Sequence, residues 1–252
     1  TKSRDGFILA VDDTVIARVA TALGYVWRWW SGQLKRVTEG QNVIALILVL
    51  GDIILPLDIR IVSKQGKGLK SKPEMYRDML ADAQTRFEAE ELPFSVFKTT
   101  GDAAYLKDTI ADTCRGTAAD FPDFSGITGI FGGKDQYVFT IDGKRQKARQ
   151  WRKALKEKLE EGWGTDGQPV YRTTAESPTF GLVTLLFYIP KGKRAVSYLI
   201  IVGRPLRSSE ALHAFAFHHR IEEFWKLLKD TLELGDMHLQ GREGAYACVG
   251  IT

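Results

Sequence analysis

The sequence predicts an α/β fold, and three observations carry that expectation. Residues 7–11, Phe-Ile-Leu-Ala-Val, form a continuous apolar run of strand length that leads into Asp12-Asp13-Thr14, the pattern of a strand buried on both faces. Two further β-rich runs, 42–50 and 53–62, flank Gly51-Asp52, a two-residue hairpin signal. Residues 71–92 then change period: Met75, Met79, Leu80, Ala83 and Phe87 recur at helical spacing behind a Ser-Lys-Pro start.

In chain order, the first three runs predict an antiparallel start, and a helix follows them. Residues 94–99 read as another strand that runs straight into Gly101-Asp102, ahead of a short helix from Tyr105 to about Thr113. Asp12 and Asp102 are therefore both expected where a strand ends. From Arg115 to about Leu206 the pattern breaks into short β runs at 137–141, 170–174, 182–189 and 196–202, interrupted by a basic, helix-favouring stretch at 144–161. That segment reads as an insertion. Ser208 or Ser209 is expected to cap a long closing helix running to about Leu234, with Gly235 as its stop. The expected division is a core in two parts, 1–114 and 207–252, around a β-rich insertion at 115–206.

Composition bounds the class. The chain has 252 residues, 44% of them hydrophobic, enough for a real core, and no internal repeat or low-complexity segment is evident. Lys plus Arg of 35 against Asp plus Glu of 31 gives +4, which suits a polyanionic partner without proving one. The two cysteines, Cys114 and Cys248, match no zinc spacing or disulfide framework, so free buried thiols in a reducing cytoplasm are expected. No signal peptide is visible, and the apolar stretch at 43–55 is broken by Gly51-Asp52 well short of a bilayer span. A soluble protein is expected. Residue 1 is not Met and residues 245–252 stop while still apolar, so both ends read as cut.

The closing helix carries two stripes. Phe217, Ile221, Phe224 and Leu228 make the expected core face, while Phe215, His218, Glu222, Trp225 and Lys229 line a neighbouring face of mixed chemistry. On that second face, Phe215-x2-His218-x3-Glu222-x6-Lys229 resembles the Tyr-x2-Arg-x3-Glu-x6-Lys signature of bacterial DDE transposases, with Phe and His standing where that family has Tyr and Arg. The string Arg-Ile-Glu-Glu-Phe-x-Lys at 220–226, the Asp-x-Thr of Asp12 to Thr14, and Gly-Asp-x-x-Tyr with Asp102 and Tyr105 add to the likeness.

This resemblance implies a ribonuclease H-like core, a mixed sheet flanked by helices, in which Asp12, Asp102 and Glu222 hold two Mg²⁺ or Mn²⁺ ions. It implies Mg-dependent cleavage and strand transfer on double-stranded transposon ends and target DNA, by a homodimer at the bacterial nucleoid. Phosphodiester transfer must stabilise both the attacking and the departing oxygen, and hard cations held by carboxylates do so without a covalent protein intermediate. Glu222 lies 120 residues beyond Asp102, a gap that the insertion fills. In relatives with this long gap the insertion handles the DNA end, so Trp151 or Trp163 is a candidate to stack on an extruded base.

The Asp-x-Thr spacing favours Asp12 over Asp13, and the choice stays open. His218 and His219 point about 100° apart on a helix, a poor zinc pair, so His218 is read instead as a DNA contact. Arg220 and Lys229 are assigned to the strand near the scissile phosphate. Two basic groups can follow a backbone: the loop with Lys64, Lys67, Lys70 and Lys72, and the cluster of Lys144, Arg145, Lys147, Arg149, Arg152, Lys153 and Lys156. Two rival readings are a ribonuclease H-like nuclease that hydrolyses without joining strands, and a catalytically inactive DNA-binding relative.

Overall fold

The computed structural model describes residues 7–17, 25–32, 34–64, 69–92, 97–120, 123–124, 126–159 and 167–231. Lys67, Phe94, Trp163, Gly235, Cys248 and residues 245–252 lie outside them. The architecture is mixed α/β: one large, mostly antiparallel sheet with helices against both faces.

β1 (Phe7–Ala17) is followed by β2 (Trp27–Ser31), β3 (Arg36–Leu50) and β4 (Ile53–Val62), then α1 (Lys72–Ala89), β5 (Lys98–Gly101) and α2 (Asp108–Arg115). Next come β6 (Thr128–Gly132), β7 (Val138–Ile141), β8 (Lys144–Lys147), α3 (Ala148–Ala154), β9 (Val170–Ser177), β10 (Gly181–Tyr188) and β11 (Ser197–Val202). α4 (Ser208–Ala216) and α5 (His219–Lys226) end the regular structure, with a wide π turn at Leu227–Thr231. Among the described residues the strand order is β2-β3-β1-β5-β6-β11-β10-β9-β7-β8, with β4 also on β3. β1–β5 and β5–β6 are parallel and the other pairings antiparallel.

β3 organises the first half. Gln41 to Val49 are all buried, and their side chains alternate between two cores. Ile44, Leu46 and Leu48 join Tyr76, Met79, Leu80 and Ala83 of α1, whereas Val43, Ala45, Ile47 and Val49 join Ala211 and Leu212 of α4 and Ile221 and Phe224 of α5. A strand covered on both sides has no polar face to alternate with, hence its unbroken apolar sequence. The β3–β4 hairpin turns as expected at Gly51-Asp52, with Leu50 opposite Ile53 and Gly51 at φ +62°. α1 also begins where expected. The Ser71 hydroxyl accepts from the Glu74 N–H, and the Glu74 carboxylate accepts from the Ser71 N–H at 2.7 Å, a complete capping box.

Three expectations fail for identifiable reasons. β1 does not end at Asp12; it pairs with β3 in unbroken register from Phe7–Leu50 to Ala17–Gly40, so Asp12 is a mid-strand residue. The stretch at 144–161 is not helical throughout, because Asp142-Gly143, both at positive φ, turn β7 back into β8 before α3 starts. The long closing helix is two helices. Phe217, His218, Arg220 and Ile221 donate to the carbonyls three residues earlier rather than four, and this tightened turn separates α4 from α5. Neither Ser208 nor Ser209 caps α4, whose N-cap is Arg207.

Residues 115–206 supply β6 to β11 to the same continuous sheet, on the far side of β5. Cys114 is buried and free, and burial pushes its thiol up to about 12, so it is inert at neutral pH. No described helix is long and apolar enough to cross a membrane.

Candidate active site

The parallel pairing of β1 with β5 decides what stands beside what. The last paired residues are Val11 and Gly101, so the next residues, Asp12 and Asp102, emerge side by side. Gly101 permits the approach: a Cβ there would stand 2.7 Å from Val11 Cγ1, closer than such atoms come. Buried Lys98, paired with Glu210 at 2.9 Å, ties β5 to α4 behind this point.

Strand alternation then separates Asp12 from its neighbour. Leu9 and Val11 face the α1 core and Ile8, Ala10 and Ile16 face the α5 core, so Asp13 points toward α1 and Asp12 toward α5. Asp13 is fully engaged: it accepts from the Tyr105 hydroxyl at 2.6 Å, Asn42 Nδ2 at 2.9 Å and Lys72 Nζ at 2.5 Å. Tyr105 in turn donates its backbone N–H to the Asp102 carbonyl, fixing the turn that carries Asp102.

Asp12 has no such support. Burial and the adjacent Asp13 charge push its carboxyl up to about 7, against the pull of the Asp13 N–H and of His218, and Asp102 adds further repulsion. His218, at the α4–α5 junction, places Nε2 3.4 Å from Asp102 Oδ1. Burial opposes protonation of this imidazole, but the Asp102 hydrogen bond and the charges of Asp102, Asp12 and Glu222 outweigh it and raise its pKa. The hydrogen bond with His218 correspondingly lowers that of Asp102. Phe215 stacks on His218 with planes 16° apart.

These groups open onto a cavity of about 800 Å³ walled by Asp12, Asp102 and Glu222, by Lys226 and Lys229, and by Trp29 and Trp30 of β2. Glu222 is exposed at its edge, while Lys229 donates to Thr14 Oγ1 at 2.5 Å and Trp225 is buried in the α5 core. Burial lowers the Lys229 pKa, against the charges of Asp230 and Asp12.

Of the residues singled out from sequence, the fold brings Asp12, Asp102, His218, Glu222 and Lys229 to one locality. It does not bring Arg220 or Trp151 there. Arg220 is bound to Glu223 at 2.7 Å and to Asp52 at 3.1 Å, beside the β3–β4 turn. Trp151 is 7% exposed, and its Nε1 donates to the Phe139 carbonyl at 3.1 Å, so it is a core residue and cannot stack on a base. Asn42 and Trp30 went unnoticed in the sequence. Asn42 carries one faint signal, a polar residue opening an otherwise apolar run.

The donor set suits a hard divalent cation. Asp12 is a carboxyl whose ionisation is suppressed by burial and by the Asp13 charge more than His218 offsets, with two further carboxylates in the same cavity. Among the described residues no three His, Cys, Asp or Glu side chains stand close enough to share an ion, and Asp102 is paired with His218.

No protein-family profile and no curated protein matches the sequence. Structures similar to this chain include the NurA nuclease from Sulfolobus solfataricus, at 11% identity over 90% of this chain and 84% of that one, TM-score 0.34. The catalytic domain of human Endonuclease V is similar at 11% identity over 92% and 89%, TM-score 0.44. Endonuclease V of Ciona intestinalis, in complex with a 24mer DNA containing an inosine followed by a ribo-adenosine, is similar at 8% identity over 88% and 87%, TM-score 0.39. At these scores the likeness carries no weight for chemistry.

The transposase resemblance is corrected by these findings. No profile or curated sequence supports it, and the three structures reported above are described as nucleases. Two of the signature's positions were already replaced, by Phe215 and His218, and the structure breaks the helix at Phe217–His218, between Phe215 and Glu222. Transposon ends, strand transfer and the homodimer that the resemblance implied are not carried forward.

Proposed function

We propose that the chain is a divalent-metal-dependent nuclease that hydrolyses DNA phosphodiesters, with Asp12, Asp102 and Glu222 as the metal-holding carboxylates. The observation that carries this reading is the β1–β5 register, which sets Asp12 beside Asp102 on a cavity that Glu222 of α5 and Lys229 of the π turn after it also line. Three antiparallel strands, β4-β3-β1, continuing into parallel β5 and β6 support a ribonuclease H-like core, one that takes in β6 from the segment read in the sequence as an insertion.

A bound Mg²⁺ or Mn²⁺ supplies Lewis acidity and lowers the pKa of water. The chain's own residues do the rest. Asp12, with Asp102 and Glu222, would hold such a cation as a carboxylate. His218 pairs with Asp102 at 3.4 Å and orients that carboxylate at the cavity. Lys229, fixed on Thr14, presents positive charge where a phosphate enters, and Lys226 extends it along α5.

Cleavage of a labelled oligonucleotide with Mg²⁺ or Mn²⁺ tests the reading. Wild type should cut and lose activity in EDTA, and Glu222→Gln should abolish cutting while binding persists. Full activity in Glu222→Gln would refute the assignment. The His218–Asp102 pairing favours a second reading, a catalytically silent DNA-binding protein. Calorimetric Mn²⁺ titration separates them, since a silent site takes up no ion that Asp12→Asn removes.

A further inference from the structure

The cavity holds a feature that hydrolysis alone does not use. Trp30 is 63% exposed, unusual for the largest apolar side chain, and its cross-strand neighbour Val37 is 50% exposed. Register places both on the Asp12 side of the sheet. Gln41 lies opposite Ile16 of the α5 core, and alternation along β3 returns Val37, and with it Trp30, to that face. Trp29 points the other way, into the α1 core, with Lys64 Nζ 4.0 Å from its ring centroid. The packing role in this Trp-rich strand thus falls to Trp29, which leaves Trp30 without one.

Chemistry on the same wall identifies the occupant. Arg28 shares the outer face of β2 with Trp30, and Lys226 and Lys229 stand across the cavity, so an aromatic plane is bracketed by cations beside a carboxylate pair. Buried Trp225 of the α5 core, which also lines the cavity, leaves its Nε1 without a hydrogen-bond partner. Cations that follow phosphates and a flat ring that accepts any base are the ingredients of single-strand recognition. A duplex offers its phosphates outward but keeps its base faces stacked.

We propose that Trp30 is a stacking platform for an unpaired base beside the Asp12–Asp102 pair, so that the substrate is single-stranded or locally unpaired nucleic acid. This rests on the nuclease reading and narrows it.

The test measures binding of the full chain in EDTA, so that nothing is cut, to an oligothymidylate, a blunt duplex and an abasic strand of equal length. Trp30→Ala should weaken oligothymidylate binding about ten- to a hundredfold, the range for losing one stacked base, with duplex and abasic binding and the melting temperature unchanged. Trp30→Phe should restore most of the loss, and wild-type tryptophan emission should be quenched by oligothymidylate and not by the abasic strand. Unchanged oligothymidylate affinity in Trp30→Ala, or an equal loss on the duplex, overturns the proposal. So does a dimer-to-monomer shift in sedimentation at constant affinity, which would make Trp30 a contact between copies. Failure of the nuclease reading looks different: wild type would cut nothing in Mg²⁺ or Mn²⁺ whatever Trp30 does.

Discussion

On the α1 face of β1, Asp13 accepts three hydrogen bonds, one of them from a lysine, and lies between a strand, a helix and a turn that it holds together. One residue earlier, on the α5 face, burial and the neighbouring carboxylates raise the proton affinity of Asp12 more than His218 lowers it. The same side chain is thus structural on one face and poised on the other. The difference teaches that a carboxylate's role follows from whether the fold supplies its counter-charge, since an uncompensated buried carboxyl is a standing cost unless a ligand offsets it.

The comparison breaks most sharply in paired variants. Asp12→Asn should lower the cleavage rate at least about a thousandfold, through loss of several kcal/mol of charge stabilisation, with a melting temperature no lower than wild type because the amide removes a repulsion. A thermal melt beside a cleavage assay checks both halves. Next in size is Gly101→Ala. Its Cβ would collide with Val11, so β5 must shift and carry Asp102 with it, and about a ten- to hundredfold loss of activity is expected from misplacement alone. Steady-state kinetics on folded protein would show it as a fall in kcat.

Asp13→Ala should do the reverse of Asp12→Asn. Removing the acceptor strands Lys72 and leaves the Tyr105 and Asn42 donors unpaired, which costs about 2 kcal/mol in urea denaturation while residual activity tracks the folded fraction. If Asp13→Ala killed catalysis without a stability loss, the roles of the two residues would have to be exchanged.

The sequence made these carboxylates visible but not their division of labour. Asp12 and Asp102 stand out as acids after apolar runs, and the Gly51-Asp52 hairpin and the Ser71–Glu74 cap are local chemistry that short-range rules capture. Asp12 against Asp13 is a question of facing, and it required the register of β1 against its neighbours. The turn between α4 and α5 escaped notice because shortened hydrogen bonds at Phe217–Ile221 carry no residue signature. β2 was missed since Trp27, Trp29 and Trp30 blur the period-two pattern, and β8 because four basic and amide residues favour a helix unless Asp142-Gly143 is read as a turn. Trp151 shows the converse error: a tryptophan in a basic segment looked like a ligand contact until packing put it in the core.

Arg220 sharpens the comparison at its weakest end. Its sequence neighbourhood argues for a phosphate contact, yet its guanidinium is committed to Glu223 and to Asp52, whose side chain is fully exposed. Pairs that solvent screens contribute little, so Arg220→Gln should cost no more than about 1 kcal/mol in urea denaturation. Oligonucleotide affinity should be unchanged at fixed salt, because the charge removed lies at the β3–β4 turn and not on the cavity wall. A weakened affinity with a shallower salt slope would mean that Arg220 leaves Asp52 for a phosphate, and the DNA path would then run over the β3–β4 turn as well as along Lys226 and Lys229.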